Sequence, residues 1–489
     1  MTGMSRRRGG LRGERHGGMR GERHGGLRGG RRHRGTRAPR RATWTTALAG
    51  LLTLGLLTSC AGGGDAAPEP TSDGGGEIIV ASGLDVTGED GIRQQLIEEW
   101  NRHSDQHARL VELPRDADQQ RSQLLGALQS GSARYDVVNL DVTWVPEFAE
   151  AGLISRLDDD LLDEDVIPSV ARTGVWRGHT YAVPFNSDVG LLYYRPDVLR
   201  DAGVEPADLP RSGTTWPELY AMMRRVADDE DRAVADSGWT GQLDTYEGLT
   251  VTAVEAFASI GVSLTDADGR YSADPESLEE GLNELEDRVE HAAEGAESSR
   301  EYESLNDFAR GRTAFLRHWP YAYQQLRQSL DEDDGLGVAP LPGKAVLGGQ
   351  NLAVAANSPR ARAAVALIRF LTSRESQQCL LDAGLPAVRT SVYQGQARCR
   401  LPEPATEASA SPDQGEGADT ALSARERDTY NRMLLTALEL AVQRPRTPYY
   451  GAFTQALQQG VRTWLDRPRP KGDVAEQLDA QLRRALSGR

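Results

Sequence analysis

Lysine is nearly missing from this chain: 489 residues hold only Lys344 and Lys471. Arginine does almost all the basic work, a bias that points to a GC-rich genome and carries no mechanism. Cysteine is almost as scarce, at three residues. No CxxC, HExxH or Cys/His cluster occurs, which argues against a structural zinc site; neither metal nor cofactor is expected. A GxSxG elbow and a barrel rhythm are also missing. The apolar run Ala47–Leu57 stops at 11 residues, about half of the ~20 that a spanning helix needs. Positive charge is concentrated at one end. Residues 1–59 hold 14 arginines and two acids, so the formal charge of −16 becomes −28 without them. A remainder this acidic should avoid nucleic acid and anionic membrane surfaces.

The N-terminal stretch reads as a targeting segment. A basic region is followed by the apolar run, then by Leu57-Thr58-Ser59-Cys60 and AGGGD. This resembles the lipobox of bacterial lipoproteins, which implies a diacylglyceryl thioether on Cys60 and removal of residues 1–59. The leader repeats itself as GGLRGERH, GGMRGERH and GGLRGGRRH. It is read as a long basic signal region, or as sequence upstream of a true start such as Met19; binding to RNA or acidic lipid is the weaker alternative. Residues 60–76 are a Gly/Pro/Ser-rich tether.

The remaining length suffices for two substantial cores. Apolar runs at 77–82, 109–113 and 135–140 read as strands, with helices at 91–103, 118–130 and 145–151 between and after them. That alternation predicts a parallel sheet covered by helices. Two further strands, 181–185 and 189–194, flank a polar break at Asn186-Ser187-Asp188. Thr215-Trp216-Pro217-Glu218 opens a helix with a capping box. Mostly helical segments follow at 247–261, 275–293 and 303–310. Strands are expected at 313–319 and 345–355, and helices at 359–373, 375–383, 424–442, 449–465 and 473–487. Residues 402–422 form a low-complexity surface loop. Two α/β lobes joined by more than one crossover fit this order, with the ligand outside the carboxyl ends of the strands.

Five segments in order resemble the extracellular solute-binding family 1, above all its trehalose/maltose-binding branch. They are DQQRSQLLGAL with YDVVNLDVTWVPEFAEAGLISRL, TYAVPFNSDVGLLYYR, GRTAFLRHWPYAY, VLGGQNLAVAANSP and RPRTPYYGAF. The resemblance implies a type II periplasmic-binding-protein fold closing by a hinge. It places crossovers near 185–188 and 349–352, one lobe at 77–185 and 352–385, and the other at 186–350 and 386–489.

Candidate site residues combine that resemblance with the chemistry of a sugar, which presents hydroxyl pairs and flat C–H patches. Asp141 ends its strand at the carboxyl end and accepts hydroxyls; its alternative is a helix N-cap. Arg121 and Arg446 match sugar-gripping arginines, whose planar forks hold two oxygens at once. Asn186 and Asp188 line a cleft or cap a turn. Trp319 and Tyr321 supply aromatic faces, or else pack in the core. Gly349 permits close approach or a hinge dihedral. Gln350 stands where many relatives have an aromatic, which argues against long maltodextrins.

The expected function is that of the binding component of an ABC importer. It would take a di- or small oligosaccharide such as trehalose or maltose and deliver it to the permease as a monomeric, membrane-anchored lipoprotein. A polyol or other small polar solute is the alternative on the same fold. A glycosidase using Asp141 and Asp188 as paired carboxylates is the enzymatic alternative; the leading reading has no catalysis. Export permits a disulfide between Cys379 and Cys399, against two free buried thiols.

Overall fold

Short β-branched and aliphatic runs supply the strands, and the longer amphipathic segments cover them. The computed structural model describes residues 74–84, 86–87, 91–266, 269–330, 335–395, 397–401 and 423–488. The expected signal segment 1–59, Cys60, most of the tether and the 402–422 loop lie outside these residues. In chain order the described strands are β1 (Ile78–Gly83), β2 (Ala108–Leu113), β3 (Val137–Asp141), β4 (Val175–Trp176), β5 (His179–Thr180), β6 (Val183–Val189), β7 (Leu191–Tyr194), β8 (Asp236–Thr240), β9 (Thr313–His318), β10 (Gly337–Pro340) and β11 (Leu347–Val354).

They form two main sheets. The first has the order β2-β1-β3-β11-β6, and the second β10-β7-β9-β8. β1 runs parallel to β2 and β3, as the alternating strand–helix order predicts. β11 enters antiparallel to both β3 and β6, so the first sheet is mixed rather than parallel throughout. Ile78, Val80, Val137, Leu352 and Val354 pack with Leu96, Leu367 and Ile368 from its covering helices. The second sheet has its own core around Leu192, Trp216, Trp239 and Phe315. The C-terminal helices Tyr450–Asp466 and Val474–Leu486 pack against Glu247–Ser259 and Pro275–Glu290 on the second sheet's side.

The polar break expected at 186–188 does not interrupt the strand. β6 runs straight through it, pairing Asn186 with Gln350, Ser187 with Gly349 and Asp188 with Gly348. The chain changes sheets one residue after β6, at Gly190, where a β-carbon would stand 2.5 Å from Glu255 Oε1. Capping at Thr215 is as expected: its hydroxyl accepts from the Glu218 amide, and Glu218 reaches back to the Thr215 amide. Cys379, in the helix Arg374–Asp382, is bonded to Cys399. No helix among the described residues is long and apolar enough to cross a membrane.

Candidate functional site

The site is built where β3 and β6 end and β11 begins, against the second sheet. Gly349 has a φ of 110°, a left-handed backbone that favours glycine. A β-carbon there would stand 2.4 Å from the Asn186 carbonyl oxygen. Gly348 is less constrained, but a β-carbon there would crowd the Trp319 ring at 3.1 Å. The glycine pair therefore lets β11 pass between β6 and an indole.

Trp319 follows β9 directly. The Arg317 guanidinium covers one part of its ring at 4.1 Å from the centroid. Arg317 is fixed by a fully buried, bidentate pair with Glu255, at 2.6 and 3.1 Å, and by a 2.8 Å bond to Gln242 Oε1. The remaining indole surface lines a chamber of about 180 Å³, together with Asp141, Asn186, Asp188, Tyr321, Gly349 and Gln350.

The polar atoms of the chamber divide into satisfied and open ones. The Gln350 carboxamide oxygen accepts from Arg93 Nη2 and Asn139 Nδ2, both at 2.8 Å. Arg93 also donates to Ser82 Oγ and to the Gly83 carbonyl. Asp141 caps locally, accepting from the Thr143 amide and hydroxyl at 2.9 and 2.7 Å, and takes Arg444 Nη2 at 3.0 Å. The other Arg444 nitrogen, Nη1, donates to Glu247 Oε1 at 2.6 Å. Glu247 is held in turn by the Tyr450 and Thr454 hydroxyls. Burial opposes charge on Arg444, but Asp141, Tyr450 and Glu247 outweigh it and raise its pKa well above the ordinary arginine range. Open atoms remain at Arg444 Nε, a buried donor without an acceptor among the described residues, and on β6. Asn186 Oδ1 and Asp188 Oδ1 are buried acceptors with no donor among the described residues. Burial pushes the Asp188 carboxyl up to about 7.

Two expected members are elsewhere. Arg121 forms a two-point pair with Glu147, at 2.6 and 2.8 Å, on the helix surface beside Gly451, and does not line the chamber. Arg446 turns away and donates to the Val175 carbonyl. It lines a separate cavity of about 820 Å³ with Trp176, Tyr271 and Tyr449. Arg444, two residues earlier in the same RPR triplet, occupies the chamber instead. Arg93, Glu247, Tyr246 and Glu301 also reach it without a recognisable local signal; only the sheet order brings them there. Among the described residues no group of acids, histidines and cysteines is placed to hold a metal ion.

The chamber opens outward. Val86, Arg115, Tyr246, Glu301 and Tyr321 line both it and a vestibule of about 980 Å³. Arg300 bridges the vestibule wall, with Asp116 of the first lobe and Asp244 of the second each at 2.6 Å.

A family model described as bacterial extracellular solute-binding protein matches residues 85–378. A probable ABC transporter-binding protein of Deinococcus radiodurans is 30% identical over 296 residues, 57% of this chain and 68% of the relative. The sn-glycerol-3-phosphate-binding periplasmic protein UgpB of Salmonella typhimurium is 27% identical over 203 residues, 39% of this chain and 44% of its own length. Among solved structures, maltose-bound MalE3 of T. maritima superposes with a TM-score of 0.69 at 26% identity, over 83% of this chain and 98% of that one.

Proposed function

Because the chain belongs to the bacterial extracellular solute-binding proteins, we propose that it captures a sugar, of the di- to small-oligosaccharide kind such as maltose or trehalose, and presents it to the membrane subunits of an ABC importer. Its fold is the type II periplasmic-binding-protein fold, two α/β lobes around a cleft. Exported location follows from the family. A thioether-linked lipid on Cys60 and a monomeric state belong to the proposal and rest on sequence alone. So does the absence of catalysis; the relatives are solute binders.

One observation carries the ligand class. The open atoms on β6 are acceptors, Asn186 Oδ1 and Asp188 Oδ1, and they lie beside an indole. A ligand that fills the chamber must bring hydrogen-bond donors and a C–H face, which is the chemistry of a sugar. A phosphate or carboxylate needs the opposite. Both Nη atoms of Arg444 are already on carboxylates, which leaves only its Nε without an acceptor, and Arg93 is turned to protein oxygens. This disfavours a ligand of the glycerol phosphate kind, although a relative is named for it.

The test is a thermal-shift screen of maltose, trehalose, ribitol, glycerol 3-phosphate and free amino acids. A ligand at 100 times its Kd stabilises the folded state by about 2.7 kcal/mol, which is readily seen. Stabilisation by the saccharides is the expected result. Stabilisation by glycerol 3-phosphate or an amino acid, with none by any saccharide, would overturn the reading.

A further inference from the structure

The chamber is too small for the ligand class just proposed. At about 180 Å³ it falls below the roughly 300–1,000 Å³ of ordinary small-molecule sites. A bound oligosaccharide must therefore extend beyond it. The inner end is closed, since Gln350 is tied to Arg93 and Asn139, and Arg444 is clamped between Asp141 and Glu247. The open direction is the vestibule, whose walls continue those of the chamber.

That vestibule is furnished for more of the same chemistry. Tyr302, in the first turn of the helix Glu301–Ala309, is 57% exposed on its wall. The Arg115 guanidinium lies 5.9 Å from the Tyr302 ring centroid and steadies it from the opposite lobe. Arg300 lies similarly over Tyr246, at 4.7 Å. Carboxylates surround the rings: Glu112, Asp116, Glu301 and Glu303 all line the space. An exposed aromatic face, that of Tyr302, beside carboxylates suits a ring that has hydroxyls at its edge and C–H on its face.

We infer that the ligand has three or more sugar rings, with its outer end seated in the vestibule against Tyr302. This rests on the sugar reading above and adds chain length to it. Where the Gln350 substitution alone argues against long chains, the cavity directs their growth outward instead.

Calorimetric titration of the full chain against maltose, maltotriose and maltotetraose, and against cellobiose, cellotriose and cellotetraose, tests it. In at least one series the trisaccharide should bind tenfold or more tighter than the disaccharide. Tyr302→Ala should collapse that ratio towards one, and Tyr302→Phe, which keeps the ring, should retain it. Circular dichroism checks that both variants are folded. Equal affinity for di- and trisaccharides in the natural protein overturns the inference, as does a preference that survives in Tyr302→Ala. Both results leave the sugar reading standing. Failure of every saccharide to bind removes that reading itself, and this inference with it.

Discussion

Asp188, on β6 of the first sheet, and His318, on β9 of the second, are both buried, and they titrate in opposite senses. Burial pushes Asp188 up to about 7, against Arg93 and with help from Asp141. Burial likewise pushes His318 down to about 4, against its bond to the Glu301 carbonyl and with help from Arg317. An unfolded chain releases the Asp188 proton near 3.8, whereas the folded chain holds it to about 7. Stability from this group therefore declines as pH rises from about 4 to 7. His318 behaves in reverse. The unfolded chain takes up a proton near 6.5, the folded chain resists to about 4, and stability declines as pH falls across that window. The two trends offset one another. Asp188→Asn should be more stable than the natural protein near pH 7, with the advantage fading towards pH 4. His318→Gln should gain relative stability as pH falls from 6.5 to 4. Urea unfolding at several pH values checks both; difference curves that are flat with pH would refute the assignment. At this scale the sequence was legible at Asp141, Trp319 and Gly349, which do line the chamber, and not at Arg121, whose guanidinium is held by Glu147. In RPR the expectation fell on Arg446, whereas Arg444 lines the chamber. Both arginines look alike locally, and only the opposed carboxylates Asp141 and Glu247, 106 positions apart in the sequence, select Arg444.

Elements with a clear period were legible almost to their ends. The helix expected at 118–130 spans Ala117–Gln129, and that at 375–383 spans Arg374–Asp382. β8 and β10 were not anticipated. Their sequences, DSGWT and GVAP, carry glycine, proline and polar residues, and both strands lie at sheet edges, where neighbours rather than propensity form the strand. β6 was misjudged for a related reason. Three polar residues suggest a break, but Gly348-Gly349-Gln350 pairs with them across the sheet. The Cys379–Cys399 bond anchors the segment after the helix Thr390–Gln394 back onto Arg374–Asp382. Closing a loop of this separation, 20 residues, should contribute roughly 3 kcal/mol in the chain-entropy picture. Chemical denaturation with and without reductant measures it. Two alkylatable thiols in native exported protein, or an unchanged midpoint on reduction, would rule it out.

Across the whole molecule the lobes meet through arginines. Arg300 ties Asp116 to Asp244, Arg444 ties Asp141 to Glu247, and Arg446 reaches the Val175 carbonyl. Arg300 is the accessible one, at 40% exposure, and surface pairs of this kind are screened by salt. Arg300→Gln should favour the open form and weaken apparent ligand affinity a few-fold, because affinity scales with the population of the competent state. The gap between variant and natural protein should narrow as salt is raised. Titration at two ionic strengths decides it, and a gap independent of salt would assign Arg300 to direct ligand contact instead.

Gly190 sets a condition on everything above. The two acceptors left open for a ligand, Asn186 and Asp188, lie on β6 within four residues of the point where the backbone crosses between sheets. A molecule gripping β6 acts within four residues of that crossover, so recognition and any turning of the lobes there share one stretch of chain. Mutations that alter one will therefore be hard to separate from changes in the other.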